Sequence, residues 1–205
     1  VGDTLPVTNI FQQPIQARYI RIRPTAWHSG PVLRIELLGC RGIVSCGHKL
    51  GMEDGMIPDD RITASSHASS YYQPSNARLN LNRCWYAARG QFVGSWLQVY
   101  MGFDPMHIEG VVTQGDPSLS MFEWVTHYQV QYSIDGTAWL YVNGDSTPQT
   151  FIGNTDGNTP VTNIFQQPIQ ARYIRIRPTA WHSGPVLRIE LLGCRDKLNR
   201  LLYIC

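Results

Sequence analysis

Charge is scarce in this chain of 205 residues, with only 16% Asp, Glu, Lys and Arg. Other absences narrow its function further. No apolar run approaches the ~20 residues that a membrane span needs, and no helical period persists over any useful length. No CxxC pair or Cys/His cluster has zinc spacing. The sequence carries no GxSxG elbow, HExxH or P-loop, no Asn-x-Ser/Thr acceptor and no RGD tripeptide. Nothing pairs a nucleophile with an identifiable base, so the chain is not expected to be an enzyme. The formal charge of +2 is unevenly spread: residues 46–194 hold nine Lys/Arg against twelve Asp/Glu, a net of −3. That segment has no nucleic-acid footprint.

What is present begins with a repeat. PVTNIFQQPIQARYIRIRPTAWHSGPVLRIELLGCR occupies 6–41 and recurs at 160–195 without a difference over 36 residues. The offset of 154 residues is domain-sized, far beyond the roughly 20–50 residues of a solenoid unit. The expected organisation is a C-terminal fragment of a preceding domain at 1–41, a linker at 42–45, one complete domain at 46–194 and a tail at 195–205. A domain of that size buries roughly 70% of its unfolded surface and needs no metal to form a core.

Five cysteines, Cys40, Cys46, Cys84, Cys194 and Cys205, leave at least one unpaired within the chain. Cys46 and Cys194 bracket the complete domain, and a bridge between them is the preferred pairing, worth about 4–5 kcal/mol in the simple chain-entropy relation. By the repeat, Cys40 ends an earlier domain. Cys84, beside Trp85 and with no His near it in sequence, is expected to be a small buried hydrophobe.

Alternation indicates strands. In WLQVYM, Leu97, Val99 and Met101 share one face; in HYQVQYS, Tyr128, Val130 and Tyr132 do. YIRIR turns Ile174 and Ile176 inward, and LRIELL puts Leu187, Ile189 and Leu191 on one face and Arg188, Glu190 and Leu192 on the other. Asp135-Gly136 signals a hairpin turn. The fold class expected is all-β, a sandwich or barrel. Three longer segments, 65–76, 83–95 and 114–124, mix aromatic or aliphatic residues with Ser, and the last two also with Gly. An apolar side chain on a loop tip either packs down on its scaffold or meets a partner.

CGHKLGMEDGMIPDDRITASS, ARLN, WLQVYMG, VVTQG, YQVQYSIDGTAW, FIGNTDGNT, ARYIRIRPTAWH and LRIELLGC occur in that order between 46 and 194. In these motifs the segment resembles the discoidin domain, or coagulation factor V/VIII type C domain, over its whole length; residues 1–41 resemble the last quarter of a second one. The resemblance implies a distorted jelly-roll β-barrel or sandwich, galactose-binding-domain-like, whose ends meet at a disulfide, here Cys46 with Cys194. It also implies that loops at the far end form spikes that bind phospholipid, carbohydrate or protein. By motif order the three segments are those spikes.

The resemblance therefore places ligand-binding residues at Tyr71 and Tyr72, at Trp85, Tyr86 and Arg89, and at Leu119, Met121 and Phe122. Apolar tips would enter the headgroup boundary of an anionic phospholipid membrane, with Arg78, Arg83 and Arg89 as candidate cations. Phe122 could instead begin the next strand and pack inward. A carbohydrate reading uses Tyr71, Tyr72, Trp85, His67 and Asn76, since tyrosine suits a membrane interface and a sugar platform equally. For Trp85 a core position is the plainer reading, and for His182 a hydrogen bond to a nearby loop. Glu53, Asp54, Asp59 and Asp60 lack EF-hand spacing, so turn chemistry is preferred over structural calcium and no cofactor is expected. The function expected is a non-catalytic, extracellular adhesion or recognition module, peripheral at anionic membranes or bound to a cell-surface glycan or protein, beside a neighbouring repeat.

Overall fold

The computed structural model describes residues 7–11, 15–17, 20–38, 46–118, 122–144, 148–194 and 202–204. The chain divides into two compact units, one drawn from 1–44 with 196–205 and the other from 45–195. In the smaller unit β1 (Ile15–Ala17) pairs antiparallel with the last strand, β13 (Leu202–Ile204). Among the described residues the larger unit has eleven strands in two sheets.

The first sheet is built from β2 (His48–Lys49), β4 (Trp85–Tyr86), β6 (Met106–Gln114), β10 (Val161–Ala171) and β12 (Val186–Cys194). Its order is β10-β6-β12-β2, with β4 also on β12. The second contains β3 (Ile62–Ala64), β5 (Leu97–Tyr100), β7 (Trp124–Ser133), β8 (Leu140–Tyr141), β9 (Phe151–Ile152) and β11 (Tyr173–His182). Here the order is β3-β5-β11-β7-β8, with β9 also on β7. All these pairings are antiparallel. The domain is all-β, as its alternating sequence requires, and its only helical turns among the described residues are three short 3-10 turns.

The two sheets close over one apolar core in which Leu97, Val99, Ile174 and Ile176 meet Leu187 and Ile189. Each such side chain contributes about 1.5–3 kcal/mol on full burial. At the end opposite the loops, Cys46 and Cys194 form a disulfide with Cα atoms 5.0 Å apart. Buried Glu109 braces that junction, accepting the N–H of Cys46 at 2.9 Å and of Gly47 at 3.0 Å.

On β12 the two faces divide as the alternation predicts. Arg188 and Glu190 do occupy the face opposite Leu187 and Ile189, but that face is covered as well, and both are buried. Segments distant in sequence fold over it and are held by the two charges. Glu190 accepts the backbone N–H groups of Gly51, Met52, Glu53 and Leu191. Arg188 donates to the carbonyls of Gly115, Leu81 and Gly157 and to Asn158 Oδ1, at 2.8, 2.9, 3.0 and 3.3 Å.

The duplicated segment shows how far burial depends on partners. Val186 and Leu187 are fully buried, whereas their counterparts Val32 and Leu33, within the same 36 residues, are 92% and 54% exposed. In the second copy the segment forms β10, β11 and β12 against β5, β6 and β7. In the first, the only described strand is β1.

Two turns add a pH dependence. Asp135 accepts the N–H groups of Thr137 at 2.8 Å and Ala138 at 2.9 Å in the β7–β8 hairpin, and Asp156 accepts those of Thr159 at 2.6 Å and Asn158 at 2.7 Å. These backbone donors hold both carboxyls below the usual Asp range. A depressed native pKa contributes stability that is complete above the unfolded Asp value of about 4 and is lost as pH falls toward the native value. Urea unfolding at a series of pH values should therefore show a shallower acid decline for Asp135→Asn/Asp156→Asn than for wild type. Parallel acid limbs would remove these two turns from the account.

Candidate functional site

The three loops converge on Tyr86. Its ring lies 5.6 Å from that of Tyr72 in the first loop and 5.5 Å from that of Phe92 in the second. Its hydroxyl donates to Glu123 Oε1 of the third at 3.2 Å. Phe92 in turn meets Trp181 of β11 edge to face at 5.8 Å. Burial, and then the Glu123 charge, push the Tyr86 hydroxyl up, so it stays a neutral donor.

Each loop is set from beneath. Pairing of Trp85 with Leu187 in β4–β12 sinks the indole into the core, where its N–H donates to Ser66 O at 2.8 Å at the root of the first loop. This corrects the placement of Trp85 and Tyr86 among ligand-contacting residues. Both are buried in a strand and support the loops. In the first loop Ser69 Oγ accepts the Tyr71 N–H, and Asn76 Nδ2 donates to Tyr71 O at 2.7 Å, fixing two 3-10 turns. Gly115 and Gly157 lie at the root of the third loop. A Cβ on Gly115 would fall 2.5 Å from Trp124 Cβ, and one on Gly157 2.3 Å from Asp116 O, so the approach admits only glycine.

What faces outward is aromatic, aliphatic and cationic. Tyr71 is 51% exposed, Phe122 65% and Val93 90%. Phe122 thus faces solvent just ahead of β7 and does not pack inward; Leu119 and Met121 lie outside the described residues. Arg83 and Arg89 are exposed, and the Arg83 guanidinium sits 5.2 Å from the Tyr71 ring centre. A cleft of about 260 Å³ opens between Tyr71, Tyr72, Asn82, Arg83, Asp116 and Ser118. Cys84 borders it as a buried thiol whose pKa is pushed up by burial and by Asp116. It is a packing residue, not a nucleophile.

Other candidates have structural employment. Arg78 donates to Met52 O and Ile57 O at 2.7 and 2.8 Å and pairs with Asp59, so it clamps the acidic segment and leaves the loop face. Glu53 pairs with Lys49, and Asp54 Oδ1 accepts the Met56 N–H in a turn. Among the described residues these carboxylates do not converge on a common point. His182 stacks on Trp124 at 4.4 Å, in place of the expected hydrogen bond to a loop, and His67 Nδ1 meets Ser69 O at 2.9 Å. No described histidine is hydrogen-bonded to a Ser or Cys side chain.

The family model for the F5/8 type C domain matches residues 61–191. The chain belongs to the F5/8 type C domain family. Lactadherin of Bos taurus is 38% identical over 197 residues, covering 91% of this chain and 45% of that protein. Coagulation factor VIII of Sus scrofa is 41% identical over 192 residues, covering 91% and 9%, and neuropilin-2 of Homo sapiens 39% over 201 residues, covering 92% and 21%. The chain thus spans less than half the length of each. Wild-type discoidin II from Dictyostelium discoideum superposes with a TM-score of 0.60 at 24% identity over 66% of this chain and 55% of that one. The family 32 CBM from C. perfringens NanJ, solved in complex with galactose, does so at 0.52 and 19%, over 67% and 97%. Both share the fold.

F5/8 type C domains are binding modules, and in this one the loop end carries the exposed apolar tips. Sequence reasoning missed Val93, although its position between an inward Phe92 and Gly94 (φ +79°) marks a turned-out apolar residue. It also missed Glu123 and Arg188 as organisers of the loops, because their partners are distant in sequence.

Proposed function

We propose that residues 46–194 form an extracellular adhesion or recognition module that docks peripherally on anionic phospholipid through the loops at 65–76, 83–95 and 114–124. The observation that carries the reading is the trio Tyr71, Val93 and Phe122, exposed on three loops that Tyr86 ties together, with Arg83 and Arg89 beside them. Apolar tips entering the headgroup boundary and cations meeting anionic lipid are the two parts of interfacial binding. The disulfide suits an oxidising, extracellular setting. Residues 1–41 are read as the end of a neighbouring repeat. Carbohydrate is the second reading, favoured by the polar cleft beside Tyr71, whose Asn82, Arg83 and Asp116 could fix hydroxyls.

Sedimentation with phosphatidylserine-containing vesicles should carry the protein down, and less so as salt rises. Phe122→Ala and Val93→Ser should each weaken binding about tenfold, since each removes roughly 1.5 kcal/mol of apolar transfer. Binding indifferent to lipid composition and to both substitutions would sink the lipid reading, and capture of defined glycans would then support the second.

A further inference from the structure

The outer face of the six-stranded sheet is a separate surface. None of its strands contains an acidic residue, although the domain has more Asp and Glu than Lys and Arg. With Ile174 and Ile176 turned into the core, Arg175 and Arg177 stand outward on β11. Arg172 immediately precedes that strand and Arg61 precedes β3.

Aromatic rings hold these arginines in place. The Arg175 guanidinium lies between Trp139 and Trp96, 3.7 and 4.2 Å from their ring centres, and its Nε donates to Gln98 Oε1 at 2.8 Å. Arg177 donates to the Tyr141 hydroxyl at 2.9 Å. Arg172 donates to Gly102 O and to the Tyr100 hydroxyl, both at 3.1 Å, and Arg61 sits 5.5 Å from the Tyr100 ring centre. The described ion pairs all involve other cations. Of the nearby acids, Asp104 is the one whose charge reaches Arg172, while Asp135 accepts donors of its own turn.

A guanidinium stacked on rings uses its faces and keeps its in-plane N–H groups for an anion. Each arginine has five such donors, and at most two are used here. Alternate positions on a strand lie about 6.6 Å apart, so Arg175 and Arg177 set a row of anion positions and not a single socket. Trp96, Tyr100, Trp139 and Tyr141 are half-buried against the arginines, and the exposed ring beside them, Phe103, lies past the end of β5 next to Arg172, so the middle of this face presents cations and not apolar tips. The disulfide argues for a compartment outside the cytosol, which favours a sulfated sugar over a nucleic acid as the polyanion. We propose that the outer face of the six-stranded sheet binds a sulfated polysaccharide chain, with sulfates received by Arg175 and Arg177 and flanked by Arg61 and Arg172.

Heparin is the probe, titrated against the intact chain at physiological ionic strength and again at raised salt. Wild type should bind in a salt-dependent manner, and each arginine-to-glutamine change should weaken binding about tenfold by removing charge-assisted donors. Arg61→Gln/Arg177→Gln leaves the Trp96–Arg175–Trp139 stack intact, so it tests the face without disturbing its core. This variant should lose heparin while sedimenting with phosphatidylserine vesicles as wild type does, and Arg83→Gln/Arg89→Gln should keep heparin. The proposal is overturned by absence of binding, by equal affinity for desulfated heparin or duplex DNA, or by full heparin binding in Arg61→Gln/Arg177→Gln.

Discussion

A chain carrying Arg188→Met should unfold about 10 °C lower than wild type, while Arg34→Met, the same change at the same place in the other copy, should leave the transition unmoved. The difference lies in what surrounds two identical sequences. Arg188 is buried and gives its donors to Gly115 O, Leu81 O, Gly157 O and Asn158 Oδ1. Methionine keeps an apolar stem of similar reach but leaves those acceptors without donors. A buried unsatisfied acceptor costs roughly 1–3 kcal/mol, and entering water recovers part of that, so a total of about 4 kcal/mol is expected. For a domain of this size each kcal/mol lowers the midpoint by about 2–4 °C. Arg188→Lys should fall between, because an ammonium retains the charge without the planar fork. Arg34 is exposed. Calorimetry on the three variants checks the result, and equal shifts at 34 and 188 would mean that both copies share one environment. Because Leu81 and Gly115 lie at the roots of the second and third loops, Arg188→Met should also weaken vesicle binding.

Alternation in the sequence told which residues share a face but not what covers it. Leu97 and Val99, or Ile174 and Ile176, point into the core as their period requires. Arg188 and Glu190 obey the same period, yet Gly115, Gly157 and Met52 close over them from positions 31 to 138 residues away. No local pattern carries that information. The duplicated segment makes the same point more sharply, since Leu33 and Leu187 have identical neighbours in sequence and opposite burial. Around the candidate site, motif order located the loops, but orientation within them depended on pairing. The β4–β12 register sends Trp85 inward, whereas Val93 and Phe122, in irregular backbone, remain outside. Tyr71, Arg83 and Asp116 frame one cleft, an arrangement that depends on three loops meeting in space.

Peptide mapping of the oxidised protein should recover Cys46 joined to Cys194, and Cys46→Ser/Cys194→Ser should cost about 3–4 kcal/mol of stability. The two cysteines are 148 residues apart in sequence, with Cα atoms at 5.0 Å. A cross-link over so long a loop constrains nearly the whole unfolded domain, and the chain-entropy relation sets an upper value of about 5 kcal/mol. Native-state strain and residual structure lower what is measured. The Glu109 hydrogen bonds to Cys46 and Gly47 remain in the serine variant, so the ends should stay together and the loss should appear as a lowered unfolding midpoint. Cys40, outside the described residues, is the competitor, because it closes the same LRIELLGC sequence only six positions before Cys46. A Cys40–Cys46 bridge would constrain so short a loop that its removal should cost about half as much. The map and the size of the loss therefore test the same pairing independently. Were Cys40 the partner, the segment at 6–41 would hold the β10–β12 positions, and the sensitivity to methionine would move from Arg188 to Arg34.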